Sequence, residues 1–297
     1  MAVTAAAAPA IHRPRSRLNR RLATQVFFLL AALYFLLPLV AVLIFTFAGR
    51  WTANILPDSY TLDWWAQALG NPDLVGSFWT SIVLATGTAI LDILFVVPAA
   101  YWARVRNRRL RPIIELGAAI PFCLPYIVIA FGILQLSGIV VPALQGTFLL
   151  LMLGHTAIAF PFVYWAVDAA MAAAGVERLS EAGEACGATP IQIIRRVILP
   201  NITPGLVTGS ILAFATSFGE FAMAQVVGRG VRTVPIWSAE ALRSYISAPG
   251  TFNQLAVITF ITFALLFVLS VVIVYLNRSQ TVRLVPGAAE VGEAERA

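Results

Sequence analysis

The chain has no lysine; all 20 of its basic residues are arginine. A P-loop needs lysine to reach the β- and γ-phosphates of a nucleotide, so this polypeptide cannot build one. If ATP drives it, hydrolysis takes place on another chain. Charge of either sign is scarce, at 11% of residues against about 25% in soluble domains. With 60% hydrophobic residues and a mean hydropathy of +0.85, that scarcity excludes an ordinary soluble domain. The two cysteines, Cys123 and Cys186, have no metal-ligand or redox-pair spacing. One falls in a predicted span and the other in a polar loop, so no disulfide is expected. His12 and His155, the only histidines, lie far apart. No H-E-x-x-H, G-x-S-x-G or C-x-x-C pattern occurs, so neither a catalytic residue nor a metal site is expected.

What the chain has instead is long apolar runs, near or above the roughly 20 residues needed to cross a bilayer. Six predicted spans cover residues 24–48, 79–103, 113–137, 147–168, 202–227 and 254–277. The first run is too long for a signal-peptide core and has no small-residue cleavage site after it, so it reads as an anchor. Placing the N-terminus in the cytoplasm leaves only Arg50, Arg229, Arg232 and Arg243 outside. The positive-inside rule therefore puts both termini in the cytoplasm. A net charge of +6 would also suit nucleic acid. These arginines flank membrane spans, however, and juxtamembrane arginine is drawn to the anionic leaflet, so no nucleic-acid partner is expected. The expected organisation is a basic cytoplasmic arm at 1–23, a six-span domain at 24–277 and a tail at 278–297. Composition marks residues 1–10 and 285–297 as disordered.

The longest connection, 171–200, holds the polar stretch SEAGEACGATPIQIIRRVILP. A passive connection between helices runs about 2–8 residues, so a much longer one with its own structure reads as functional. Ser180 is a plausible N-cap for a short helix with Glu181 and Glu184 in its first turn, where the helix dipole favours acids. Gly187 stops that helix. Thr189, Pro190 and Gln192 restart one with a capping box, and Ile191, Ile194 and Ile198 then share a face. Pro200 marks the next break.

Glu181-Ala182, Gly187 at its fixed distance and Leu199-Pro200 resemble the EAA loop of inner-membrane permeases of binding-protein-dependent type I ABC importers. Gly183 stands where the pattern has a second alanine, and Val197 where it has isoleucine. The resemblance implies an all-α polytopic fold whose loop forms a coupling helix docked into a cytosolic ATPase. Glu181, Ala182, Gly183, Gly187, Ala188, Thr189, Leu199 and Pro200 are then the expected coupling residues. It further implies a bacterial inner-membrane location, an ATPase dimer, a second permease subunit and an external solute-binding protein. ATP and magnesium would be bound by the ATPase, with no cofactor on this chain. The runs LGHTAIAFPFVYWAVDAA, PNITPG and FNQLAVIT look most like the spermidine/putrescine branch, which implies a polyamine cargo. Related branches carry aminoethylphosphonate, ferric iron, thiamine or sulfate.

Polar groups at membrane depth are costly, and Asp92, Gln135, His155 and Glu220 are the candidates for a translocation path or gate. For Glu220 a structural or gating role is favoured, with Arg229 or Arg232 as a possible ion-pair partner; for Asp92 and His155 a structural one. Pro98, Pro121, Pro125 and Pro161 can kink their spans. Trp51, Tyr60, Trp64, Trp65 and Trp79 suit a headgroup-level belt, and Trp64 and Trp65 could alternatively meet a binding protein. Two other classes compete: an ion-coupled secondary transporter and a membrane scaffold. The first typically shows internal repeats and broken helices, and the sequence shows no sign of either.

Overall fold

The computed structural model describes residues 16–51, 54–244 and 250–281. The segments expected to be disordered, 1–10 and 285–297, lie outside them. The chain divides into two units, Met1–Thr61 and Leu62–Ala297. In the first, helix α1 spans Ser16–Phe47 and contains Pro38. A short antiparallel pair follows, β1 (Ala48–Arg50) and β2 (Ser59–Tyr60), with Ala48 opposite Tyr60.

The second unit opens with α2 (Asp63–Gly70) and α3 (Pro72–Tyr101), which runs on as a π turn over Trp102–Arg106. Asn71 starts α3: its side-chain oxygen accepts from the Asp73 and Leu74 amides at 3.0 and 3.3 Å, with Pro72 at the first helical position. Then come α4 (Arg111–Cys123), α5 (Tyr126–Val140) and α6 (Phe148–Ala174). A polar hairpin follows, made of α7 (Val176–Ala185), α8 (Pro190–Ile193), a π turn over Ile194–Ile198 and α9 (Leu199–Asn201). Helices α10 (Thr203–Gly219), α11 (Ala222–Val227), α12 (Val234–Ser244) and α13 (Thr251–Thr281) complete the described chain.

The fold is all-α and polytopic. Among the described residues four stretches are unbroken and long and apolar enough to span a bilayer: Leu22–Phe47, Pro72–Arg106, Phe148–Ala174 and Thr251–Val272. The third predicted span is a bent helix pair, Arg108–Cys123 with Tyr126–Val140 at 113°, and a second pair, Pro190–Asn201 with Thr203–Gly219 at 79°, bends where the fifth begins, beside the break expected at Pro200. The absence of broken helices expected from the sequence is therefore corrected. The third span breaks where Leu124 precedes Pro125. The proline ring disfavours helical backbone at the residue before it, and Leu124 is extended at φ −114°, ψ 138°. The fifth run does not stay helical to Val227 either; α10 ends at Glu220, which is extended at φ −78°, ψ 120°.

Helices α3, α6 and α10 pack on one another as the centre of this unit. The α6–α10 contact rests on two glycines four residues apart. A Cβ on Gly205 would lie 2.4 Å from Ala170 Cβ and 2.7 Å from the Ala166 carbonyl oxygen, and one on Gly209 would lie 3.1 Å from Val163 Cα. Small residues at this spacing let backbones approach closely, and such packing is one source of helix association where lipid replaces water. Trp64 and Trp65 on α2 are half-buried against an apolar cluster that includes Leu74, Phe218 and Trp237, whereas Trp79 is exposed.

Candidate coupling interface

The hairpin between α6 and α10 begins at Gly175, whose left-handed backbone (φ 63°, ψ 47°) ends one helix and opens the next. Because the chain turns there, α7 starts well before Ser180. Ser180 is not the predicted cap but a fully buried mid-helix residue whose hydroxyl has no partner, and Glu177 occupies the first turn. The end of α7 follows the sequence closely. Gly187 takes φ +78°, its amide donates to the Glu184 carbonyl at 2.8 Å, and the Ala188 amide donates to Gly183 at 3.0 Å. This paired bonding satisfies carbonyls that a helix C-terminus would leave open. The capping box is formed too: the Thr189 hydroxyl accepts from the Gln192 amide at 3.4 Å, and the Gln192 side-chain oxygen accepts from the Thr189 amide at 2.8 Å.

The apolar face differs from the one predicted. Helical spacing put Ile191, Ile194 and Ile198 together, but the Leu199 amide bonds back to Ile194, five residues away, in a π turn. That extra residue changes the register, so Ile193 and Ile198 are buried, Ile194 is partly buried and Ile191 is 68% exposed. Val176, Ile193, Ile198 and Ile202 join one buried cluster with Val97, Tyr101, Val163 and Met171 of α3 and α6. The hairpin therefore shares the core of the helices it connects. Gly183 is part of this fit, since a Cβ there would lie 2.9 Å from Ile193 Cγ1. Glu181, Ala182, Gly187, Thr189, Ile191 and Pro200 are exposed, while Ala188 and Leu199 are half-buried.

Sequence reasoning took the arginines after α3 as bilayer anchors and missed their partners. Arg104 is only 9% exposed; its Nε bonds Asp168 Oδ1 at 2.6 Å and its Nη2 bonds Asp168 Oδ2 at 2.9 Å. Nη2 also reaches the Asp168 carbonyl at 3.0 Å, and Nη1 reaches Glu177 Oε1 at 3.2 Å. One guanidinium thus ties the end of α3 to the end of α6 and the start of α7, using the planar fork that lysine lacks. Arg111 adds contacts to Glu115 at 2.8 Å and Asp168 at 3.5 Å. Arg106 pairs with Glu184 at 2.7 Å near the far end of α7. Asp168, the last residue of a predicted span, followed by Glu177 and Glu184 was the available signal.

Among the described residues the four candidate path residues share no hydrogen bond with one another. His155 Nδ1 meets Ser217 Oγ at 2.8 Å, and Ser217 donates to Thr88 at 3.3 Å, a buried polar chain across α6, α10 and α3. Asp92 lies one turn from Thr88, fully buried, with neither oxygen hydrogen-bonded. Gln135 is exposed on α5. Glu220 does not pair with Arg229 or Arg232; its Oε1 accepts the Met223 amide at 2.9 Å, capping α11 at the bend after α10. Arg232 instead pairs with Glu240 at 2.6 Å and Asp73 at 3.0 Å, which hold its guanidinium above its ordinary pKa, Glu240 most of all. A cavity of about 520 Å³ beside it is lined by Gln225, Arg229, Arg232 and Glu240 among others, and Arg229 is exposed there.

Long apolar helices, those of the second unit sharing a core with the polar hairpin, define a multi-pass membrane protein. Residues 95–282 match the binding-protein-dependent transport system inner membrane components, and the chain belongs to that family. A molybdenum ABC transporter permease of Haloferax volcanii is 32% identical over 164 residues, 52% of this chain and 60% of that one. This chain thus spans about three fifths of that relative's length. The 2-aminoethylphosphonate transport system permease PhnV of Salmonella typhi is 23% identical over 231 residues, 76% of this chain and 84% of the relative. The fold is similar to that in a crystal structure of a bacterial ABC transporter for the acidic polysaccharide alginate. That match has a TM-score of 0.69 at 17% identity and covers 89% of this chain and 98% of the other.

Proposed function

We propose that this chain is the permease subunit of an ATP-driven importer, and that the α7–α9 hairpin receives the stroke of a separate ATPase. The observation that carries this reading is the hairpin's double allegiance. One face lies in the core of α3 and α6, and the other offers exposed small residues around Ala182 and Gly187. A push on the exposed face reaches the helices without crossing a flexible joint. A second permease subunit completes the path, a solute-binding protein delivers cargo from outside, and both termini face the cytoplasm. The ATPase binds ATP and magnesium.

Replacing Ala182 with tryptophan tests the docking face. Ala182 is exposed, so the fold has room for the indole, but a close-fitting partner does not. The expected result is normal membrane insertion with loss of ATPase co-purification. Normal transport with the ATPase retained would reject the coupling assignment. Gly187→Val is expected to act through the turn instead, since a β-branched residue at φ +78° costs about 1–2 kcal/mol or more. Gly187→Asn, which tolerates left-handed backbone better, should keep the partner bound in the same pull-down.

For the cargo we favour a small oxyanion over a polyamine. The relatives described above are named for molybdenum, which dissolves as the oxyanion molybdate, and for 2-aminoethylphosphonate, which carries a phosphonate oxyanion beside its ammonium. The polyamine expectation, drawn from short sequence runs, has no support among them. Exposed Arg229 in the cavity beside Arg232 suits an anion rather than a polycation. Co-purifying the binding protein and screening ligands by thermal shift decides the matter, because a ligand at about 100 times its Kd stabilises by about 2.7 kcal/mol. A shift with molybdate or a phosphonate is expected; a shift with spermidine or putrescine alone would overturn the anion reading.

A further inference from the structure

We propose that Arg104 and Arg106, on the π turn that ends α3, position the coupling hairpin by clamping both ends of α7. This inference rests on the reading of α7–α9 as the coupling segment. Glu177 and Glu184 are two helical turns apart, so they project from the same side of α7. Each meets an arginine from the same short turn, Arg104 at 3.2 Å and Arg106 at 2.7 Å. Ser180, fully buried, lies between them, which shows that this side of α7 faces the protein. Exposed Ala182 and Gly187 are therefore held in place by charges behind them.

The two ends of the clamp differ in kind. Arg104 is buried, and its fork is already locked onto Asp168 by two side-chain bonds. That end moves with α3 and α6 as one body. Arg106 and Glu184 are 33% and 41% exposed, and among the described residues neither makes a second ion pair. An exposed pair is weak and screened by salt. The Arg104 end is the pivot, and the Arg106 end is the strut that sets how far the tip of α7 stands from α3. With the strut broken, a push on the tip tilts α7 about its pivot instead of moving the helices behind it. ATP hydrolysis then continues while import falls.

The test uses the complete importer, with its ATPase and binding protein, in proteoliposomes. Cargo moved per ATP hydrolysed is measured for R106E, E184R and the swap R106E/E184R, with ATPase co-purification followed in parallel. Each single variant is expected to lose about fivefold in cargo per ATP, the factor corresponding to the upper range for an exposed pair. The ATPase should stay bound in each, and the swap should restore most of the yield. A general loss of fold would not be rescued by reversing both charges. Singles with unchanged yield, or a swap no better than either single, would overturn the clamp. Singles that shed the ATPase would overturn it differently, placing these residues in the docking contact and leaving the coupling reading intact. Failure of the coupling reading itself appears separately, as Ala182→Trp retaining both partner and transport.

Discussion

Asp168→Ala is expected to destabilise the helical unit by about 3–5 kcal/mol, the usual cost of removing one partner from a buried ion pair. In the native chain Asp168 takes both arms of the Arg104 fork and its own carbonyl takes a third bond. Without the carboxylate, a guanidinium that is 9% exposed keeps only Glu177 and that carbonyl, and Glu177 is itself 30% exposed. Arg104→Ala should cost less, because Asp168 retains Arg111 at 3.5 Å. Arg104→Lys should fall between wild type and Arg104→Ala, since an ammonium cannot make the paired bonds. The double variant Arg104→Leu/Asp168→Leu should be milder than Asp168→Ala alone, because it removes the charges together instead of stranding one. Thermal unfolding of the purified chain in a single detergent ranks the four. If Asp168→Ala matches wild type, the network does not hold α3, α6 and α7 together.

Legibility in the sequence followed how local the cause was. The Gly187 stop and the Thr189–Gln192 capping box were readable because each needs only a few consecutive residues. The apolar runs fixed the class of fold for the same reason, since length and hydropathy decide bilayer crossing. The break at Leu124 was available from Pro125 but was read as a possible kink; a 113° bend depends on what each half packs against. Ser180 misled because a serine before two glutamates has the form of a cap, while the true start was set by Gly175 turning left-handed upstream. The isoleucine face failed because a π turn is invisible to a 3.6-residue period. Least legible was the Arg104–Asp168–Glu177 network. Its members lie 64 and 73 residues from Arg104 in sequence, and charge scarcity made each one look like a marker of topology.

The two ends of the hairpin meet again at the α6–α10 contact, and that is where a single methyl group should do most damage. Gly205→Ala is expected to cost roughly 2–3 kcal/mol net, because overpacking typically costs about 1–3 kcal/mol and here two fixed obstacles stand at 2.4 and 2.7 Å. One of them, the Ala166 carbonyl, is backbone, so no rotamer change relieves it. The gain in helix propensity from replacing glycine, about 1 kcal/mol, is too small to compensate. Gly209→Ala, with its closest neighbour at 3.1 Å, needs a shift of only a few tenths of an ångström and should lie within about 1 kcal/mol of wild type. Adding Ala170→Gly to Gly205→Ala removes the 2.4 Å contact but leaves the carbonyl, so rescue should be partial. Thermal stability in detergent reads out the series, and cargo per ATP in proteoliposomes reads its consequence. Because α6 enters the hairpin and α10 leaves it, forcing them apart loosens the core that Val176, Ile198 and Ile202 share with both sides. A Gly205→Ala chain as stable as Gly209→Ala would show that the helices do not approach this closely. A stable variant whose assembled importer hydrolyses ATP without import would instead show that the contact transmits force without supplying much stability.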